Sequence, residues 1–110
     1  MIEVTVYKTM RHEYAGFDMS GHAGYDDIGK DIVCAAVSVL VINTLNSIER
    51  LTDDKTSCVS DENSGTVEFR FKDHPSHDAA LLLDSMILGL EDIEDSEEYE
   101  SYIDIIFKEV

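Results

Sequence analysis

The sequence has little positive charge and few residues that mark special chain geometry. Its 110 residues include eight Lys and Arg against 24 Asp and Glu, giving a formal net charge of −16, with one Pro and no Trp. Nucleic-acid binding needs Lys and Arg against phosphates, so a direct nucleic-acid binder is disfavoured. The acidic charge is compatible with simple solubility, which charge alone favours, or with a basic protein partner drawn in by long-range attraction.

Long apolar runs and a secretion signal are also lacking. The longest apolar run, Ile32–Ile42, is broken by Ser38 and falls short of the roughly 20 residues of a membrane helix. The acidic, alternating N-terminus does not resemble a signal peptide, so we expect a cytoplasmic protein with no membrane association. Cys34 and Cys58 form no CxxC pair or disulfide framework, and in the cytoplasm both should be reduced thiols.

The length predicts one domain, residues 1–110, with one core. Alternating apolar residues predict a strand over 2–7 paired with one over 13–23, a second hairpin over 56–73 and a closing strand over 102–110. Gly16 is expected to mark a bulge or bend. Helical spacing predicts helices over 31–51 and 75–94. The order β-β-α-β-β-α-β predicts an α+β two-layer sandwich, a mixed or antiparallel sheet with two helices on one face.

The junction between the second strand and the first helix carries the candidate reactive groups. Asp31 is a good N-cap residue, which would place Cys34 at the third helical position. Orphan amides and the helix dipole there favour a thiolate and lower the pKa of a thiol. His22, at the end of the second strand, is suited to act as general base and then general acid. A cysteine in an apolar helix is more often a packing residue, so the residues alone leave both roles open.

The neighbouring polar residues have alternative roles as well. Asp31 could cap the helix, the favoured role, or orient His22. Ser38 follows Cys34 by one helical turn and could hydrogen-bond to the reactive pair or, more commonly, to its own helix backbone. His74 and His77 are interpreted as polar residues at a helix start, and Cys58 as a packing residue. We expect no metal site and no cofactor.

Residues 20–38, "SGHAGYDDIGKDIVCAAVS", resemble the ribosomal-processing cysteine protease family, Prp. The shared pattern is G-H-A at the end of a strand, a short loop with glycine, and D-[IL]-V-C-A followed closely by Ser. The matching residues are Gly21, His22, Ala23, Gly29, Asp31, Ile32, Val33, Cys34, Ala35 and Ser38.

The resemblance implies a cysteine endopeptidase in which Cys34 is the nucleophile and His22 the general base and acid. Its implied substrate is the precursor of large-subunit ribosomal protein twenty-seven. A thioester mechanism would remove the precursor's Phe-rich N-terminal extension during ribosome maturation. A homodimer is also implied. The loop containing Gly24, Tyr25 and Gly29 is expected to cover the cleft and to contact substrate. The alternative is a non-catalytic ribosome-assembly adaptor that binds a basic protein through its acidic surface.

Overall fold

The computed structural model describes residues 1–21, 28–61 and 63–110, with only the backbone for residues 28–31. Its elements confirm the predicted order and the α+β two-layer class. They are β1 (Ile2–Lys8), β2 (Tyr14–Ser20), α1 (Ile28–Leu51), β3 (Thr56–Asp61), β4 (Thr66–Phe71), α2 (His77–Glu94) and β5 (Ile103–Glu109).

The five strands form one mixed sheet in the order β3-β4-β2-β1-β5. The two predicted hairpins are present, since β1 pairs with β2 and β3 pairs with β4, each antiparallel. β2 and β4 join the hairpins at the centre of the sheet. The chain crosses the sheet through α2, so β5 pairs in parallel with β1 at the far edge.

Both helices pack on the same face of the sheet. Val4, Val6, Phe17 and Phe69 point into one core cluster with the buried sides of α1 and α2. The helix residues of that cluster are Val33, Val37, Val41, Ile48, Ala79, Leu83, Met86, Ile87 and Leu90. The predicted two helices on one face are therefore confirmed.

The apolar part of α1 is longer than the run Ile32–Ile42 identified in the sequence. Its segment Ile32–Leu51 has a mean hydropathy of 1.7 over 20 residues, long and apolar enough to cross a membrane by composition alone. Here Val33, Val37, Val41 and Ile48 are buried against the sheet. Only 28% of the apolar segment is buried, and Val39 and Ile42 are exposed, so α1 buries one side against the sheet and is not covered on most sides.

The edge strand β3 is left uncovered by the helices. Register with β4 pairs Cys58 with Phe69 and Ser60 with Val67, so both face the helix layer. Cys58 and Ser60 are nonetheless exposed, whereas Phe69 and Val67 are buried. The helix layer thus ends over β4, and an open space remains between α1 and β3.

Gly16 on β2 pairs with Arg70 on β4 and lies beside the irregularity in the β1–β2 register between Tyr7 and Lys8. A Cβ at position 16 would come within 2.0 Å of the Phe69 carbonyl oxygen. The expected bulge is therefore present, and the position requires glycine because a backbone atom cannot yield as a side chain can.

We expect Gly16→Ala to lower the free energy of unfolding by about 3 kcal/mol, because the methyl group overlaps fixed backbone. Gly89→Ala is the matched control. Its Cβ would meet only the Leu40 side chain, at 3.1 Å, and the gain in helix propensity of about 1 kcal/mol offsets that contact. Urea denaturation measures both variants, and equal losses of stability would contradict the close approach at Gly16.

Candidate active site

α1 and the uncovered end of the sheet enclose a groove of about 860 Å³. One wall is a stripe of α1 that includes Cys34, Ser38 and Glu49, and the floor is formed by β4 and β3. Further lining residues are Met19, Gly21, Val37, Ile42, Leu45, Asn46, Asp54, Thr56, Cys58, Ser60, Asp61, Val67 and Phe69. Such an apolar cleft with a few polar groups is the usual form of a ligand site.

The chain path gives the groove two distinct ends. α1 finishes at Leu51 and the chain returns as β3 from Thr56, so β3 runs antiparallel to the helix. Glu49 and Thr56 therefore lie at one end of the groove, which we name the Glu49 end. Cys34, Gly21 and the end of β3 lie at the opposite end, which we name the Cys34 end.

Cys34 is half-buried, free of any disulfide, and packed against the core while lining the groove. Ser38 lines the same wall one turn further along α1, as the four-residue spacing predicts. The thiol is thus placed where a ligand in the groove can reach it. A packing cysteine sealed in the interior would be out of reach of such a ligand.

Three of the predicted site residues, His22, Gly24 and Tyr25, lie outside the described residues. The chain leading to His22 is described, and Gly21 lines the Cys34 end of the groove. Gly21 has a φ of 113°, and a Cβ there would approach the Met1 carbonyl oxygen to 2.5 Å. Only glycine fits such a backbone, so the β2 exit beside Cys34 is fixed by its sequence.

The predicted start of α1 is wrong. The helix begins at Ile28, which makes Asp31 its fourth residue and not its N-cap, and places Gly29 in the first turn instead of the loop. Cys34 becomes the seventh residue, so its amide is committed to a helical hydrogen bond and is not among the orphan amides of the first turn. The sequence could not decide between the two starts, because Asp27 is an equally suitable cap type directly before Ile28.

Cys58 is the residue that the sequence reading missed. It is exposed on the groove floor and is not a packing residue. Partial burial, and then the nearby Glu49 carboxylate, raise the pKa of the Cys58 thiol, which keeps it protonated and weakly nucleophilic. The signal was available in the alternation of Thr56, Cys58 and Ser60, since a covered strand would carry larger apolar residues on that face.

The Glu49 end of the groove is tied to the start of α2. Asp54 accepts hydrogen bonds from the backbone N–H of Ser76 at 2.7 Å and from its hydroxyl at 2.5 Å. Ser76 in turn caps α2 by accepting from the Ala79 N–H at 3.1 Å.

His77 is the first residue of α2, and its Nδ1 lies 3.2 Å from Asp78 Oδ1. His74 precedes the helix, and its Nδ1 lies 3.2 Å from Glu13 Oε2. These histidines are the polar helix-start residues that were predicted.

Comparison with known proteins points to one family. A family model described as cysteine protease Prp matches residues 1–104. The ribosomal processing cysteine protease Prp of Staphylococcus aureus (strain Mu50) is 36% identical over 90 residues, which cover 82% of this chain and 83% of that protein.

Solved structures show the same similarity. Prp from S. aureus with a covalently linked product peptide has a TM-score of 0.86 at 32% identity. The same protein with a substrate peptide has a TM-score of 0.89 at 30% identity. Each comparison covers 98% of this chain and 100% of the other.

We expect Glu49→Gln to lower the pKa of the Cys58 thiol, because removal of a nearby negative charge favours the thiolate. In a Cys34→Ser background, alkylation of Cys58 by iodoacetamide at pH 8 should become about twofold faster, since the thiolate is the reacting form. Glu109→Gln on β5, at the opposite edge of the sheet, is the matched control. Identical rates in both variants and the parent would contradict the electrostatic effect of Glu49 on the Cys58 thiol.

Proposed function

The chain belongs to the Prp family of cysteine proteases, and we propose that it removes the N-terminal extension of large-subunit ribosomal protein twenty-seven during ribosome maturation. Its relatives are ribosomal processing cysteine proteases, and one of them has been crystallised with a substrate peptide. The observation that carries the proposal is the accessible Cys34 thiol at one end of a groove large enough for a peptide.

The proposed reaction is acyl transfer by a dyad of His22 and Cys34. His22 takes the thiol proton, and the sulfur bonds to the scissile carbonyl carbon. The carbon–nitrogen bond then breaks as His22 returns the proton to the leaving amine, which leaves a thioester. Water, deprotonated by His22, hydrolyses the thioester and restores the thiol. The covalently linked product peptide in the S. aureus relative supports a covalent route.

Asp31 and Ser38 are proposed to support this dyad. Because Asp31 lies inside α1, it is not the helix N-cap, and the role left for it is to orient the His22 imidazole, as carboxylates do in related triads. Ser38 shares the groove wall with Cys34, so its hydroxyl is proposed to hydrogen-bond to the reacting groups. No cofactor enters this chemistry.

The groove and the surface charge both suit the proposed substrate. Met19, Ile42 and Leu45 line the groove with accessible apolar surface that can receive the aromatic side chains of a Phe-rich motif. The net charge of −16 attracts a basic ribosomal protein and speeds the encounter. We propose a cytoplasmic location as well, because the proposed substrate is a ribosomal precursor.

A homodimer is proposed from the outer surface of the helices. Ile32 and Val39 on α1, and Leu81 and Leu88 on α2, are each about half exposed or more. Apolar side chains of this size on two packed helices are typical of a surface that associates with another protein. A second copy of the chain would bury them without covering the groove floor on β3.

We expect cleavage of a peptide carrying the Phe-rich extension to fall at least 1,000-fold in Cys34→Ala and His22→Ala, because each removes an essential part of the acyl-transfer dyad. Cys58→Ser is the matched control and should retain cleavage, since that thiol is protonated. Mass spectrometry of the digests detects the products. Cleavage by Cys34→Ala at the wild-type rate would contradict the protease mechanism.

We expect the wild-type chain to have twice the 12.3 kDa monomer mass in light scattering and Val39→Glu to have the monomer mass. The introduced charge would be buried in the dimer without a partner. Val59→Glu is the control, because Val59 is similarly exposed, at 65% against 68%, but lies on β3. A monomeric wild type, or a dimer that survives Val39→Glu, would refute the helix-mediated dimer.

A further inference from the structure

Glu49 is an acidic group at the far end of the groove that the proposed chemistry does not use. It lines the groove wall on α1, opposite the strand that carries Cys58. The charge of its carboxylate reaches the Cys58 thiol across the groove. The carboxylate therefore acts on the interior of the groove as well as on bulk solvent.

The acidic residues that line the groove differ in how their oxygens are used. Both carboxylate oxygens of Asp54 accept hydrogen bonds from Ser76, and Asp61 accepts from the Asn63 N–H at 2.9 Å at the Cys34 end. In the described ranges the ion pairs are Arg70–Asp18, His74–Glu13 and His77–Asp78, so Glu49 has no cationic partner there. Glu49 is thus the acid at its end that is available to a ligand.

The distance between Glu49 and Cys34 fixes where a ligand charge would have to lie. The two residues are fifteen positions apart on one straight wall, a helix rise of about 22 Å. An extended peptide advances about 3.3 Å per residue. A peptide with its scissile bond at Cys34 therefore reaches Glu49 about six or seven residues away.

We propose that Glu49 is a specificity-determining residue that binds a Lys or Arg side chain of the substrate, about six or seven residues from the bond cleaved at Cys34. At this end of the groove Asp54 is bound by Ser76 whereas Glu49 is in no ion pair of the described ranges, and the apolar lining between the two ends holds the intervening residues. This inference deepens the proposed protease function and rests on it.

Peptides with the Phe-rich motif and a single Lys test the proposal, with the Lys moved one position at a time on both sides of the scissile bond. Norleucine replaces Lys in the reference peptide, which keeps the length without the charge. We expect kcat/KM to be about fivefold higher with Lys five to seven residues away on one side, as for a partly exposed ion pair. Glu49→Gln should reduce that Lys-to-norleucine ratio to about one.

Charge reversal sharpens the test. Glu49→Lys should prefer Glu to Lys at the same position, whereas Glu109→Gln on β5 should keep the wild-type ratio. A Lys preference that survives Glu49→Gln, or no preference at that distance, would overturn the assignment.

Fluorescence anisotropy of the same peptides on Cys34→Ala measures binding without cleavage. A Glu49-dependent Lys preference in binding with no cleavage by the wild type would retain the site and overturn only the protease proposal.

Discussion

The packing of α1 across the sheet is the constraint on which the rest of the molecule depends. Val33, Val37, Val41 and Ile48 commit one side of the helix to the core. The neighbouring stripe of α1, which carries Cys34, Ser38 and Glu49, then lies above β4 and does not reach β3. A helix placed closer to the edge would close the groove, and a shorter helix would leave it without a second end.

The same packing places a thiol at one end of the α1 wall and a carboxylate at the other end. The Cys34 end is built from the exit of β2, where Gly21 packs tightly on the Met1 backbone, and from the second turn of α1. The Glu49 end is built from the last turns of α1 and from Asp54, which is held by the α2 cap. Because both ends belong to one rigid helix, the spacing between them is fixed before any ligand arrives.

The sequence predicted the fold well because its strands alternate cleanly and its helices carry long periodic apolar faces. Phe17, Phe69 and Leu83 lie in the core as those periods require. The start of α1 was mispredicted because several aspartates precede the apolar run and local propensity cannot rank them. Cys58 was misjudged because its exposure depends on where α1 lies over the sheet, and the small and polar neighbours Thr56 and Ser60 were the only local sign of it.

The parallel pairing of β5 with β1 has a practical consequence for anyone who handles this chain. Ile2 lines the groove, and its N–H donates to the Tyr102 carbonyl at 2.8 Å. Any segment fused ahead of residue 1 would emerge beside the thiol and compete with peptides for entry. Val110 donates to the Lys8 carbonyl at the opposite end of the same strands, so an affinity handle attached there would stay a full strand length from the Cys34 end.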